Sequence, residues 1–260
     1  MIALIDYGVG NLRSVAKALE HIGAPVQIVQ QPHDLAGAEG IILPGVGAFG
    51  DAAATFRQAG FEQPLLAAVR AGTPLLGICV GLQLLFDTSE EMGRHRGLGI
   101  FPGIVTRFAD GMTVTHHGAR HLLKVPQIGW NQIHHDQTHP LLAGVPSGSY
   151  AYFVHSYYCA PADPQHVIAT TDFGLDFASI CGGRFGQGEV WGVQFHPEKS
   201  QATGLRILRN FVDWAQASGR RRMNSGRRGV SPQGRPAPTG PAPTQARFQS
   251  LGWACGGAQS

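Results

Sequence analysis

At 260 residues, with 43% hydrophobic side chains, the chain is long enough to bury a full core and too apolar to be disordered throughout. No apolar run reaches the roughly 18 residues of a membrane span, and no basic segment precedes the first apolar run, so neither a membrane anchor nor a signal peptide is expected and a cytoplasmic protein is. The net charge of +3 is misleading: seven arginines and no acidic residue lie from Ser218 onward, and removing them leaves −4 for residues 1–217, so overall charge gives no reason to invoke nucleic acid.

The first strand is predicted over Met1–Asp6. Asn11 then caps a helix that runs to Ile22 and stops at Gly23. Strands follow at Pro25–Val29 and Gly40–Leu43, the second leading into Pro44-Gly45-Val46-Gly47. Helical patterns over Asp51–Gln58 and Pro64–Arg70 precede a strand at Pro74–Ile78, which feeds a helical run over Val80–Phe86. Continuous apolar strands alternating with helices imply an α/β domain with a buried, mainly parallel sheet covered on both faces. The middle, from about Gly97 to Tyr150, is richer in Gly, Pro and His and reads as short strands and loops. Later strands are predicted at Tyr150–Val154, Val167–Thr170, Ala178–Cys181 and Val190–Phe195. A last helix over Ala202–Ala217 presents Leu205, Leu208, Phe211 and Val212 on one face. From 218 to 260 Gly, Pro, Ser, Ala, Arg and Thr dominate, and such a segment is expected to be a disordered basic tail.

The four cysteines are scattered and form no Cys-x-x-Cys pair, so a disulfide framework is not expected and one thiol stands out for its surroundings. Gly77-Ile78-Cys79-Val80-Gly81 lies between an apolar strand and a helical run, the setting of a nucleophile elbow. The helix start favours a thiolate at Cys79, and the N–H of Val80 is placed to donate to an oxyanion. A buried structural cysteine beside packing glycines is the bland alternative.

A cysteine nucleophile needs a base, and Val193-Gln194-Phe195-His196-Pro197-Glu198 ends a late strand. Pro197 favours extended backbone at His196, so Glu198, two residues on, projects to the same side and can orient the imidazole. A surface turn is the bland reading of His-Pro-Glu alone. Pro44-Gly45-Val46-Gly47-Ala48-Phe49-Gly50-Asp51 follows another parallel strand, which puts this loop beside Cys79 at the carboxyl edge of the sheet. A phosphate loop of the Gly-x4-Gly-Lys type is absent.

These features, in this order, resemble the class I, triad-type glutamine amidotransferases over residues 1–215. The start Ile5-Asp6-Tyr7-Gly8-Val9-Gly10-Asn11-Leu12, the Pro-Gly-Val-Gly loop, Gly129-Trp130-Asn131 and Val193–Ser200 are most similar to the glutaminase subunits of imidazole glycerol phosphate synthases. The resemblance implies a single amidotransferase domain over 1–217 that hydrolyses L-glutamine through a Cys79 thioester, with His196 and Glu198 completing a triad. It implies an oxyanion site at Gly45, Val46 and Val80, and glutamine held by Gly47, Gln83, Ser156 and Tyr157. It also implies a heterodimer with a (β/α)8-barrel synthase subunit, met by Asn11, Trp130, Asn131 and Lys199, and no cofactor, metal, nucleic acid or membrane. Two other identities stay open on the sequence: an amidotransferase subunit of another pathway, such as pyridoxal phosphate synthesis, and a stand-alone γ-glutamyl hydrolase. Gln127 stands where the family commonly has His. The Arg107–Leu123 segment, with His116, His117 and His121, is longer than usual, and it and His134, His135 and His139 are expected in exposed loops rather than around a metal.

Overall fold

A computed structural model describes residues 1–116, 119–136 and 138–228; His117 and the 229–260 part of the expected tail lie outside the described residues. In chain order the first half contributes β1 (Ile2–Ile5), α1 (Leu12–His21), β2 (Val26–Val29), β3 (Gly40–Gly45), α2 (Phe49–Gln58), α3 (Glu62–Arg70), β4 (Leu75–Cys79) and the single turn α4 (Val80–Gln83). The middle gives β5 (Phe86–Ser89), β6 (His95–Arg96), β7 (Phe101–Arg107), β8 (Thr113–His116), β9 (Ala119–Leu122) and β10 (Gln127–Ile133). The last part gives β11 (Ser149–His155), β12 (Tyr157–Pro161), β13 (Val167–Asp172), β14 (Asp176–Phe185), β15 (Gly188–Val193) and α5 (Gln201–Arg228).

The main sheet runs β2-β1-β3-β4-β15-β14-β12-β7-β5-β6, with β13 added on β14. From β2 to β15 every pairing is parallel. These strands are the continuous apolar runs of the sequence, and β1, β3 and β4 are buried at every position. Beyond β15 the sheet turns largely antiparallel through β14, β12 and β7. The sequence reading missed β5, β6 and β12, because strands of two to five residues carry little periodicity.

The helices flank the sheet by their apolar stripes. α1 buries Val15, Ala16, Ala18 and Leu19, and α5 buries Leu208, Phe211, Val212 and Ala215. Phe211 and Ala215 lie against Gly40 of β3, where a methyl group would sit 2.6 Å from the Ala215 Cβ.

Three expectations are corrected. The helical run over Val80–Phe86 is one turn, because Phe86 already begins β5, so a long helix dipole behind Cys79 is not part of the fold. Asn11 occupies the N-cap position of α1 but makes no side-chain cap bond. The last helix does not end at Ala217 but continues to Arg228, so the expected tail begins inside it. Packing carries the chain past Ser218: Gly219 fits against Glu39, and the Arg221 guanidinium lies 5.5 Å from the Trp214 ring centroid.

Candidate active site

β3, β4 and β15 are neighbouring parallel strands, so their carboxyl ends emerge at one edge of the sheet. Gly45 is paired with Cys79, and the chain leaves β15 at Val193 just before His196. Topology alone therefore brings together three segments that the sequence holds far apart.

Cys79 is buried and adopts φ 55 and ψ −113, a conformation that costs an L-residue roughly 1–3 kcal/mol. The turn closes only because glycines surround it. A Cβ on Gly81 would lie 1.9 Å from the Leu43 carbonyl oxygen, one on Gly77 2.7 Å from that of Gly81, and one on Gly45 2.7 Å from the Gly81 nitrogen. Val80 starts the helical turn, so its N–H has no intrahelical partner.

His196 has extended backbone, φ −95 and ψ 99, as expected before proline, and Pro197–Lys199 then folds into a 3-10 turn. The turn brings Glu198 Oε1 to 2.9 Å from His196 Nδ1, which leaves the other ring nitrogen for Cys79. The two side chains are 4% and 0% exposed. Burial opposes a charged imidazole at His196, but its hydrogen bonds to Cys79 and Glu198 and their charges outweigh this and raise its pKa to about 9. The Asn11 amide donates to the same Glu198 oxygen at 3.2 Å, whereas Glu198 Oε2 is buried with no hydrogen-bond partner among the described residues.

A cavity of about 190 Å3 opens over the thiol. Val46, Gly47, Val80, Gln83, Ser156 and Tyr157 line it, together with His196. Gly45 lies behind Val80, and the Tyr7 hydroxyl donates to the Pro44 carbonyl at 3.0 Å, fixing the peptide before it. Gln83 Nε2 donates to the Tyr157 carbonyl at 3.0 Å and to Gln194 Oε1 at 3.2 Å. Gln194 in turn points its amide nitrogen at the Cys79 sulfur, 3.8 Å away.

Sequence reasoning missed three residues here. Glu91 lines the cavity and accepts from the Phe49 N–H at 2.7 Å. His155, also in the wall, donates from Nδ1 to the Tyr157 carbonyl at 2.8 Å; burial lowers its pKa to about 4, outweighing that bond, and nearby His196 adds to the lowering. Gln194 is the third. The alternation of β11 foretells burial at 155, and the continuous burial of β15 extends to 194, but nothing local marks Glu91.

The remaining candidates lie elsewhere. β10 and β11 form a separate antiparallel ribbon in which Ile128 and Trp130 share an outward face with Tyr150 and Tyr152. Trp130 is 47% and Ile128 64% exposed. Asn131 donates to the Asp172 carbonyl at 2.7 Å, and Lys199 Nζ lies 5.7 Å from the Tyr152 ring centroid. A cleft of about 800 Å3 bounded by Trp130, Lys124 and Phe173 contains none of Cys79, His196 and Glu198. Gln127 is buried on the ribbon's other face, paired in register with His155. Several histidine placements differ from the expected exposed loops: His116 and His121 lie in the β8–β9 hairpin, His134 pairs with Thr170 in a β-bridge, and the half-buried His139 packs its ring edge-on to Trp191. Among the described residues no group of three His, Cys, Asp or Glu is placed to hold a metal ion, and no helix is long and apolar enough to cross a membrane.

Residues 3–214 match the family model for glutamine amidotransferase class-I. The chain is 46% identical over 214 residues, 82% of its length and 94% of the relative's, to the imidazole glycerol phosphate synthase subunit HisH of Desulfitobacterium hafniense. It is 50% identical to the protein of the same name from Halobacterium salinarum, over 82% of this chain and 93% of the other. Among solved structures it is similar to a glutamine amidotransferase, with a TM-score of 0.57, 18% identity and coverage of 83% of this chain and 99% of the other. PurLQS from Thermotoga maritima matches with a TM-score of 0.61 and 19% identity over 82% and 97% of the two chains; both likenesses concern the fold alone.

Proposed function

The chain belongs to the class I glutamine amidotransferases, and from that premise we propose that it is the ammonia-producing subunit of an imidazole glycerol phosphate synthase in histidine biosynthesis. One observation carries the chemistry: Cys79, His196 and Glu198 form a connected, buried chain beneath a cavity sized for one amino acid.

In this reading glutamine enters with its side-chain amide over Cys79. Glu91 offers a carboxylate to the α-ammonium group, and Gly47, Gln83, Ser156 and Tyr157 surround the rest of the substrate. The Cys79 sulfur attacks the amide carbon, and the oxygen takes up negative charge facing the Val80 N–H and the Gly45–Val46 peptide. That peptide rearranges to complete the oxyanion site. His196, held as an imidazolium, gives its proton to the departing nitrogen, so ammonia leaves and a γ-glutamyl thioester remains. His196 then removes a proton from water, which attacks the thioester and frees glutamate and the thiol.

Ammonia released into neutral water becomes ammonium and is no longer a nucleophile. A (β/α)8-barrel partner therefore docks to receive it and carries the acceptor site. The outward face of the β10–β11 ribbon around Trp130, with Asn131 on the ribbon's other face, Lys199 and the loop ending at Asn11, forms the docking surface, in keeping with its exposed apolar side chains.

Cys79→Ala is the direct test. It should abolish glutamine-dependent synthesis by the complex and spare synthesis from supplied ammonia. Loss of both together, or full glutaminase activity of the isolated wild-type chain that no barrel partner changes, would contradict the assignment.

A further inference from the structure

Asparagine is among the best N-cap residues because its side-chain oxygen accepts from the first free N–H groups of a helix. Asn11 holds that position on α1, and its backbone carbonyl accepts from the Ser14 and Val15 N–H groups at 3.1 Å. Its side chain nevertheless leaves the helix uncapped and reaches the Glu198 carboxylate, 187 residues away in sequence.

The carboxylate it meets is fully buried, with His196 and Asn11 donating to one oxygen and no hydrogen-bond partner at the other among the described residues. A buried carboxylate with so few donors depends on each of them. His196 keeps its Nδ1–H on the carboxylate in both protonation states, but the charge behind that bond comes and goes as the other ring nitrogen gains and loses a proton during turnover. Asn11 is neutral and does not titrate. It is also held firmly: Asp6 accepts from the Gly8 N–H at 3.0 Å, Tyr7 is tied to the Pro44 carbonyl, and the start of α1 abuts the 3-10 turn that carries Glu198.

From this geometry we infer that Asn11 is a positioning residue of the catalytic site, whose amide fixes the Glu198 carboxylate against His196 and extends the triad to Asn11–Glu198–His196–Cys79. Asn11 does not touch the reacting atoms and acts only through Glu198. The inference rests on the assignment of Glu198 as the partner of His196. It gives the loop before α1 a task inside the site, distinct from any role of that loop in docking.

The test uses the full chain, alone and with its barrel partner, as wild type, Asn11→Ala and Asn11→Asp. Asn11→Ala should lower kcat about tenfold with KM for glutamine within about twofold, the size expected from one charge-assisted hydrogen bond. The alkaline limb of kcat/KM should fall from near the His196 value toward that of an ordinary imidazole; Cys79, Glu198 and His155 are the other titratable groups facing that ring. Asn11→Asp keeps the shape but sets oxygen against oxygen and should cost more in kcat, so it decides the matter if the alanine variant is unstable. The pH dependence of Cys79 alkylation by iodoacetamide reads the same triad without glutamine. If the wild type fails to hydrolyse glutamine, the amidotransferase reading fails, while a displaced alkylation profile still supports the role of Asn11 and an unchanged one removes it. Weaker docking of the barrel with unchanged kcat and an unchanged alkylation profile would overturn the inference in favour of a contact residue.

Discussion

Glu198→Gln separates the charge of the carboxylate that meets His196 from its geometry. Both donors, His196 Nδ1 and Asn11 Nδ2, meet the same oxygen, Oε1, at 2.9 and 3.2 Å. A glutamine carbonyl can occupy that position and keep both bonds, while its NH2 group takes the place of the unpartnered Oε2. The substitution therefore removes the negative charge, preserves the ring orientation, and adds a buried donor without an acceptor. In the wild type, Cys79 and Glu198 together lift His196 from 6.5 to about 9 against its burial, a net effect of roughly 3 kcal/mol. Glu198 supplies one of the two hydrogen bonds and one of the two charges in that balance. Removing its charge should therefore lower the His196 value, by less than the whole of that effect. The assay is the pH dependence of kcat/KM for glutamine hydrolysis, whose alkaline limb follows loss of the imidazolium. That limb should lie near pH 9 in the wild type and measurably lower in the variant, with kcat reduced about 10- to 100-fold. The sign also fixes stability: a raised folded-state pKa adds stability that is complete below about 6.5 and lost as pH rises through about 9, and the variant should lose part of it. An alkaline limb that stays near 9 in Glu198→Gln would refute the claim that this carboxylate holds the proton on His196.

Three further outcomes are expected. Gly81→Ala places a methyl group 1.9 Å from the Leu43 carbonyl in the centre of the sheet and should destabilise the fold by more than about 3 kcal/mol, seen as a large fall in Tm or loss of soluble protein. His155 has its pKa lowered to about 4, so stability should fall as pH drops from 6.5 toward 4, by up to roughly 3 kcal/mol from this residue; His155→Asn, which can still donate to the Tyr157 carbonyl, should flatten that part of the urea-stability profile. Trp130→Ala should weaken binding of the proposed barrel partner by about tenfold or more in calorimetry while leaving glutamine hydrolysis by the isolated chain within about twofold.

The parts of this protein that could be read from its sequence are those written within a few neighbouring residues. The elbow is legible because strand, nucleophile, glycines and turn are consecutive from Leu75 to Gly81, and Pro197 announces the backbone of His196 in the same way. The parallel half of the sheet is legible because buried strands are continuous apolar runs. What escaped depends on distant packing. Asn11 looks like a helix cap and is one by position, but a carboxylate folded in from the far end of the chain outcompetes the helix for its side chain. Gln194 reads as an ordinary strand residue until β4 lies beside β15 and puts a thiol in front of it. Glu91 sits in a polar loop whose composition says only that it is a loop. The end of α5 escaped for the opposite reason: Ser218-Gly219 is a plausible local stop that packing against Glu39 overrides.

The close fit of Gly45, Gly77 and Gly81 around Cys79 also bears on how this site can change over generations. The position of the thiol is specified there by hydrogen atoms standing where other residues carry carbon. Any glycine codon becomes an alanine codon by one base change, so the smallest step available to mutation is already a collision with main chain. The half-buried Asn11 or the cavity wall can drift through many side chains with graded loss, but the elbow offers no gradual route. A lineage that keeps this chemistry must inherit the elbow whole, and variation in substrate delivery and partner choice has to be found in the walls and ribbons around it.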